Sequence, residues 1–236
     1  MKSGPQSANG NPSMPETLSF ALPSRGRIGD LTNEFLRACG MNVLRPNPKQ
    51  YLGLVPSMPD IRVHMQRAAD IIDQLSRGNA DIGITGYDLF LEHRTESGNV
   101  FVIRDDLGFS RARLELAVPD SWVDIAHVDD LAELALTFRR NGHELRVATS
   151  YPNLVRDFLL DLSIHNFALI EAGGSIEAAP GMGSADIIAD IVQTGTSLVE
   201  NRLKTLTGGT ILNSKACLVG CVRTLKANRS KLNLIR

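Results

Sequence analysis

Alternating strand and helix patterns run through almost the whole chain of 236 residues and predict an α/β fold with mostly parallel sheets. Short apolar runs predict the strands, and apolar residues three and four positions apart predict the helices. A faint internal echo adds to this, because Ala80-Asp81-Ile82 leads into Thr85-Gly86 as Ala185-Asp186-Ile187 leads into Thr194-Gly195. Two similar lobes facing a cleft would explain the echo, although chance similarity explains so short a match about as well.

The first half of the chain contains the following predicted elements. Residues 1–16, rich in Pro, Ser, Asn and Gly, are expected to be a disordered tail. A strand at 18–23 and a turn at 24–27 precede a helix over 29–39, which Gly40 ends. Apolar residues at helical spacing predict a helix over 61–77, and Gly78 ends it. Further elements are a strand at 80–84, a short helix at 88–93, and strands at 100–103 and 113–118.

The second half continues the alternation. A helix is predicted over 128–140, because its first turn is acidic and its last turn is basic, as the helix dipole favours. The remaining predicted elements are a strand at 145–149, a helix at 154–162, strands at 167–171 and 186–192, a helix from 198, and a strand pair or extended segment at 211–222.

Composition excludes several classes of function. The 25 basic and 26 acidic side chains give a net charge of -1, which argues against a general nucleic-acid coat but not against a local phosphate pocket. No apolar run is long enough to span a membrane, and residues 1–17 lack the apolar core of a secretory signal. Three dispersed cysteines suggest a reducing compartment, so a cytoplasmic protein is expected. Cys217 and Cys221 are read as core residues rather than a zinc site.

The segment 177–198, EAAPGMGSADIIADIVQTGTSL, carries the clearest chemical signal. A strand runs into a turn of small residues at which backbone N–H groups and the hydroxyls of Thr194, Thr196 and Ser197 can meet a phosphate. Asp186 and Asp190 could hold ribose hydroxyls or a bridging Mg²⁺. The structural alternative is a capping box formed by Ser197 and Glu200, which any helix can use.

The order of residues in this segment resembles the signature of the ATP phosphoribosyltransferase family. The positions that carry the resemblance are Glu177, Gly183, Ala185, Ile188, Asp190, Ile191, Thr194, Gly195 and Leu198. Ordered matches continue elsewhere at 22–27, at Arg67 and Asp70, and at 80–88, 106–114, 149–154, 174–177 and 214–218. The chain departs from the family pattern at Ser24, where Lys is common, at Ser110, where Gly is usual, at Ser197, where Thr is usual, and in lacking a Pro after Ile71.

The resemblance implies two periplasmic-binding-protein-like (type II) lobes with an active-site cleft between them. Lobe I is expected to comprise residues 17–106 and 206–236, and lobe II residues 107–205. The chain would then cross between the lobes near residue 107 and return near residue 205. Lobe II would carry the turn that binds 5-phosphoribosyl 1-pyrophosphate.

The family's activity joins N1 of the ATP adenine to 5-phosphoribosyl 1-pyrophosphate, with release of pyrophosphate, in the first step of histidine biosynthesis. The resemblance implies that the sugar substrate binds Asp190, Thr194, Gly195, Thr196, Ser197 and Leu198, with Glu177 and Asp190 as catalytic candidates. ATP would bind Arg25, Gly26, Arg27, Tyr51, Arg67 and Asp88. Each of these residues also has a purely structural alternative. The arginines can be ordinary surface cations, Tyr51 can be a surface or core residue, and Asp88 and Glu177 can be acids at helix N-termini.

The resemblance also bears on cofactors and partners. Mg²⁺ is expected as a substrate-bridged ion that neutralises the leaving pyrophosphate, without dedicated protein ligands. The chain has no room for the family's C-terminal regulatory domain, so a hetero-oligomer with a regulatory subunit resembling histidyl-tRNA synthetase is expected. The rival hypothesis is a non-catalytic small-ligand-binding module on the same two-lobed fold.

Overall fold

Two mixed sheets organise the chain in a computed structural model that describes residues 17–47, 50–94, 98–171 and 175–227. The predicted tail 1–16 and the last part of the predicted lobe I, 228–236, lie outside the described residues. Among the residues that are described, no helix is both long enough and apolar enough to cross a membrane.

The first part of the chain forms five strands and three helices. The strands are β1 (Leu18–Pro23), β2 (Leu52–Leu54), β3 (Ile61–Gln66), β4 (Ile82–Gly86) and β5 (Val100–Arg104). The helices are α1 (Gly26–Ala38), α2 (Ile71–Arg77) and α3 (Tyr87–His93). These elements build a six-stranded sheet in the order β2-β3-β1-β4-β11-β5, where β11 (Ala216–Cys221) comes from near the end of the chain.

The second sheet has five strands, in the order β10-β6-β9-β7-β8. Its strands are β6 (Ala112–Pro119), β7 (Leu145–Thr149), β8 (Phe167–Glu171), β9 (Ile187–Val192) and β10 (Leu203–Ser214). The helices of this part are α4 (Val128–Arg140), α5 (Pro152–Asp161) and α6 (Thr196–Glu200), and α7 (Val222–Ala227) follows β11. One lobe therefore forms around each sheet.

The predicted helix over 61–77 is half wrong. Its first part is strand β3, which pairs in parallel with β1 over six residues from Leu18↔Ile61 to Pro23↔Gln66. Ile61, Val63 and Met65 are buried and alternate with more exposed neighbours, which is the two-residue period of a strand. Only the part from Ile71 onward is α-helical, and Gly78 ends it in the left-handed conformation, as predicted.

The strand directions and one boundary also need correction. Parallel pairing is confined to β3-β1-β4 and to β9-β7-β8, whereas β2, β5, β6, β10 and β11 pair in antiparallel fashion. Strand β10 stays paired with β6 as far as Ser214, so the chain returns to the first sheet at Lys215 and not near residue 205.

The internal echo has a structural counterpart at the starts of β4 and β9. The Asp81 carboxylate accepts the backbone N–H of Ser19 on β1 at 2.8 Å, and the Asp186 carboxylate accepts that of Arg146 on β7 at 2.8 Å. Both aspartates therefore join the beginning of their strand to the neighbouring parallel strand. The same device in both sheets fits the predicted pair of similar lobes.

Each lobe buries its own apolar core. In the first lobe, Leu22, Met65 and Ile84 are almost fully buried, and a second cluster around Ile71 and Ile72 includes Cys217 and Cys221. The second lobe has a larger cluster around Leu116, Leu131, Val147 and Leu159. Burial raises the pKa of the Cys217 thiol to about 12, so this thiol stays protonated, as expected of a core residue.

Candidate active site

The loop that follows β9 lines a cavity of about 210 Å³ in the second lobe. Five of the residues predicted to bind the sugar substrate line this cavity: Asp190, Thr194, Gly195, Ser197 and Leu198. The catalytic candidate Glu177 lines it as well, together with Ile191, Val192 and Gln193. Thr196 is not part of the lining, but its hydroxyl lies 3.0 Å from that of Thr194. The structure thus brings together the acidic and hydroxyl-bearing parts of the segment.

Gly195 sets the shape of this loop. It precedes α6 with a φ of +80°, a left-handed conformation that side-chain-bearing residues rarely adopt. Because Gly195 and not Ser197 is the residue before the helix, the alternative Ser197–Glu200 capping box does not form. The Thr194 and Ser197 side chains remain part of the cavity wall.

Two carboxyl groups share this cavity. The pKa of Asp190 is raised to about 6, mainly by burial. The Ile191 N–H group, which donates to its carboxylate at 2.8 Å, lowers this pKa, and the negative charge of Glu177 raises it. The Ser175 hydroxyl donates to Glu177 at 2.8 Å and orients it. At neutral pH Asp190 is therefore mainly ionised and can accept hydrogen bonds from sugar hydroxyls.

Asp186 does not belong to this site. It lies at the start of β9, at the opposite end of the strand from the loop, and pairs with the Arg146 guanidinium at 2.7 Å. The expectation that Asp186 holds ribose hydroxyls or a metal ion is therefore wrong, because its carboxylate is used to join β9 to β7.

A second cavity, of about 390 Å³, opens in the first lobe. It is lined by three of the residues predicted to bind ATP, Arg25, Tyr51 and Arg67, and by Ser24, Met65, Gln66, Asp70, Asp73 and Gln74. Tyr51 is 66% exposed, so it is not a core residue and is accessible to a ligand. Two guanidinium groups and an exposed ring at one cavity suit a nucleotide.

Arg27 forms a hydrogen bond between the two lobes. Gly26 and Arg27 begin α1, where Gly26 has a φ of +72°, and the Arg27 guanidinium donates to the side-chain carbonyl of Gln193 in the loop of the other lobe. Arg25 lines the first-lobe cavity and Gln193 lines the second-lobe cavity, so this bond joins two segments that each contribute to one cavity.

Asp88 lies apart from both cavities. It is 7% exposed; one carboxylate oxygen accepts the Tyr151 hydroxyl of the second lobe at 2.7 Å, and the other accepts the Ser214 hydroxyl. Both oxygens are thus used within the protein, which corrects the prediction that Asp88 holds the ribose or adenine of ATP. Burial, and then the negative charge of Asp88, raise the pKa of Tyr151.

The contact between α3 and α5 was not predicted from the sequence. Glu92, one helical turn after Asp88, is 3% exposed and accepts the backbone N–H groups of Asn153 and Leu154 at 2.9 and 3.0 Å. A carboxylate from the first lobe therefore caps the N-terminus of a helix in the second. The TSYPNL match at 149–154 was the signal that could have directed attention to these residues.

The fold and the site together define a two-lobed α/β protein of the periplasmic-binding-protein type, with a cleft suited to phosphate groups. The periplasmic aliphatic sulphonate binding protein SsuA from Escherichia coli superposes with a TM-score of 0.56 at 14% identity, over 94% of this chain and 70% of that chain. At this identity the likeness concerns the fold alone.

Sequence comparison then gives the family. The model of the HisG family, described as ATP phosphoribosyltransferase, matches residues 67–236. The ATP phosphoribosyltransferase of Chelativorans sp. (strain BNC1) is 38% identical over 219 residues, which cover 92% of this chain and 95% of that relative. The chain belongs to the ATP phosphoribosyltransferase family.

The chain covers different shares of the length of two further relatives. The ATP phosphoribosyltransferase of Bradyrhizobium sp. (strain ORS 278) is 37% identical over 204 residues, 86% of this chain, but the match spans only 63% of that relative. A chain of the ATP phosphoribosyl transferase (HisG:HisZ) complex from Thermotoga maritima superposes with a TM-score of 0.70 at 27% identity, over 93% of this chain and 94% of that chain.

Proposed function

We propose that the chain catalyses the ATP phosphoribosyltransferase reaction. N1 of the ATP adenine attacks the anomeric carbon of 5-phosphoribosyl 1-pyrophosphate, the carbon–oxygen bond to pyrophosphate breaks, and pyrophosphate leaves with the electron pair. The observation that carries the proposal is the cavity that Glu177, Asp190, Thr194 and Ser197 line, in a chain of this family that also has a cavity with two arginines.

In this proposal the loop after β9 holds the sugar substrate. The hydroxyls of Thr194 and Ser197 and the loop N–H groups bind the 5-phosphate, and the ionised Asp190 accepts the ribose hydroxyls. Glu177 lies in the same cavity and orients the ribose. Because the nucleophile is a neutral ring nitrogen, it needs no strong base, and the barrier falls through positioning and charge stabilisation.

ATP binds in the cavity of the first lobe under the same proposal. Arg25 and Arg67 contact its phosphates, and Tyr51 packs on the adenine. Arg27, whose side chain already reaches Gln193, contacts both substrates where they meet. Asp88 has no part in ATP binding here, because its carboxylate joins the two lobes.

The pyrophosphate group of the substrate would bring Mg²⁺ to the site. The oxygen donors of Glu177 and Asp190 are of the kind that Mg²⁺ prefers, but no group of three or more His, Cys, Asp or Glu within the described ranges could hold a metal by itself. These two carboxylates fit an ion that the substrate bridges. Its positive charge would offset the negative charge of the leaving pyrophosphate.

We also infer a partner and a compartment. The solved relative from Thermotoga maritima is part of a HisG:HisZ complex. We propose a corresponding hetero-oligomer for this chain, with a regulatory subunit that resembles histidyl-tRNA synthetase. The described structure has Cys39, Cys217 and Cys221 as free thiols, which supports a reducing, cytoplasmic location.

The test is a turnover assay with purified protein, ATP, 5-phosphoribosyl 1-pyrophosphate and Mg²⁺, with and without the regulatory subunit. Formation of phosphoribosyl-ATP, followed by its absorbance, is the expected result. Calorimetric binding of both substrates without turnover in either condition would favour the non-catalytic binding module instead.

A further inference from the structure

Three polar side chains lie side by side on one face of the second sheet. Glu115 of β6 is directly opposite Thr210 of β10 on one side and Asp190 of β9 on the other. Directly opposite residues in antiparallel strands point to the same face, with Cβ atoms about 5 Å apart. A second carboxyl group, which is not part of the lining of the sugar cavity, is therefore next to Asp190.

Glu115 is buried and is paired with one cation. It is 4% exposed, and its carboxylate accepts the Thr210 hydroxyl at 3.2 Å and pairs with Nε of Arg113. Arg113 comes two residues earlier on β6, so it is on the same face of the sheet. A buried carboxylate is costly without a partner, and among the described residues Arg113 is the cation that pairs with this one.

Asp190 is close to charged and titratable groups from several elements. They are Glu177 in the short turn Ile176–Ala178, Glu115 and Arg113 on β6, Tyr151 at the start of α5 and, through Gln193, Arg27 on α1. Arg111 and Lys215 lie farther along, around Val192 and Gln193, and pair with Asp106 and Asp105. The loop residues 193–198 have no ionisable side chain.

Only some of these groups affect the charge of Asp190. The Tyr151 hydroxyl stays neutral, because burial and the nearby acids raise its pKa. Glu177 carries a negative charge that opposes ionisation of Asp190. Glu115 carries a second one on the adjacent strand, and Arg113 offsets it.

Without Arg113, Asp190 would lie between two uncompensated carboxylates, and like charges oppose the ionisation of a carboxyl group. The pKa of Asp190 is already about 6, so a further rise would leave much of it protonated at neutral pH. A protonated carboxyl group has less capacity to accept hydrogen bonds from ribose hydroxyls. The charge of Arg113 therefore bears on ribose binding, although Arg113 does not line the sugar cavity.

We propose that Arg113 is a positioning residue of the proposed reaction and acts through Glu115. By balancing the charge of Glu115, it keeps the neighbouring Asp190 ionised and able to accept the ribose hydroxyls of the sugar substrate. This inference rests on the proposed function, because it takes the ribose as the ligand of Asp190. It adds Arg113 and Glu115, neither of which lines the sugar cavity.

The experiment follows the titration of the Asp190 carboxyl group in the free, full chain by carbon-13 NMR, with Asp190→Asn to assign the signal. The wild-type midpoint is expected at about pH 6. Arg113→Gln leaves Glu115 uncompensated and should raise the midpoint by about one pH unit, whereas Glu115→Gln should lower it. The double variant, which removes both charges, should return close to the wild type, and Arg113→Lys, which keeps the charge, should do the same.

The pH profile of turnover gives a second measurement. The acidic limb of kcat/KM for the sugar substrate should move with the Asp190 midpoint in each variant. Its restoration in the double variant would separate charge balance from a direct contact between Arg113 and the substrate, because removing Glu115 cannot restore a lost contact. Arg140→Gln, which removes an exposed arginine at the end of α4, is the matched control and should move neither the limb nor the midpoint.

Two results would overturn the proposal. One is an Asp190 midpoint that is the same in Arg113→Gln and in the wild type. The other is a double variant that titrates like Arg113→Gln, or a shift of equal size in Arg140→Gln. Where Glu115→Gln fails to fold, Arg113→Gln and Arg113→Lys still decide, because one removes the charge and the other keeps it.

These outcomes are distinguishable from failure of the proposed function. The NMR titration needs neither substrate nor turnover. A wild-type chain that forms phosphoribosyl-ATP, with an unchanged midpoint in Arg113→Gln, would overturn the role of Arg113 alone. A wild-type chain that shows the expected midpoints but no turnover in any condition would overturn the reaction, and with it the ribose as the ligand of Asp190.

Discussion

The buried position of Asp190 in the cavity disfavours the ionised form of its carboxyl group. Burial raises its pKa from 3.8 to about 6, and nearby Glu177 contributes in the same direction. Because the folded pKa is above the unfolded one, the folded protein binds this proton more tightly. Asp190 therefore lowers stability as pH rises from about 4 to about 6, and the full loss persists above pH 6.

Asp190→Asn should remove this loss. Relative to the wild type, the variant is expected to become more stable by up to about 3 kcal/mol as pH rises from 4 to 7, because the shift corresponds to roughly two pKa units. Urea unfolding of both proteins across this range measures the difference. Glu177→Gln should reproduce only part of the gain, and a stability difference that does not vary with pH would contradict the assignment.

The hydroxyl of Thr194 is expected to contribute to binding of the sugar substrate by the loop after β9. Thr194→Ala is expected to weaken binding of the sugar substrate about tenfold and to leave ATP affinity nearly unchanged, because the hydroxyl lines only the second-lobe cavity. Calorimetric titration with each substrate measures both. Thr137→Ala, which removes a hydroxyl bonded to a carbonyl within α4, is the control. Equal losses for both substrates would place the loop's role elsewhere.

Helix α3 connects the lobes through two acids on one face. Asp88 and Glu92 are four residues apart, so they project to the same side of the helix, and both bond to groups of the second lobe. The carboxylate of Glu92 satisfies N–H groups that the start of α5 cannot pair within the helix. The short helix therefore acts as a strut between the lobes and not as part of the substrate cavities.

Glu92→Gln should destabilise the protein by about 2–4 kcal/mol, because it removes a buried negative charge that accepts two backbone N–H groups. Chemical denaturation monitored by circular dichroism gives the change in free energy of unfolding. Glu133→Gln, at an exposed position of α4, is the matched substitution and should change stability by less than about 0.5 kcal/mol. A similar effect of the two substitutions would exclude the capping role.

Elements with a single, unambiguous period could be predicted from the sequence, and the others could not. Helix α4 has the predicted bounds because its apolar spacing and its charged ends agree. The segment 61–77 was misassigned because Met65, Ile72 and Leu75 fit a helical period although they belong to a strand and a helix in succession. Strand β2 has only three residues and depends on pairing with β3, so local pattern gave no sign of it.

At the scale of the whole molecule, the sequence predicted the loop after β9 and the arginines of the first lobe, because the chemistry of those residues is local. It did not predict how the lobes meet. The Asp88–Tyr151 hydrogen bond joins residues 63 positions apart in the chain, and it exists only once both lobes have folded and docked. The resemblance to the family therefore assigns Asp88 to ATP, whereas its burial and its bond to Tyr151 give it an interlobe role.

The bond between Asp88 and Tyr151 should govern how far the lobes open. Tyr151→Phe keeps the buried ring but leaves one oxygen of Asp88 without its donor, at a cost of about 1–3 kcal/mol. We expect the free variant to have a larger radius of gyration than the wild type in small-angle X-ray scattering, and both substrates together to reduce the difference by closing the cleft. Tyr87→Phe, within the first lobe, is the control. An unchanged radius of gyration in Tyr151→Phe, with the expected loss of stability, would show that the bond stabilises the lobes without setting their separation.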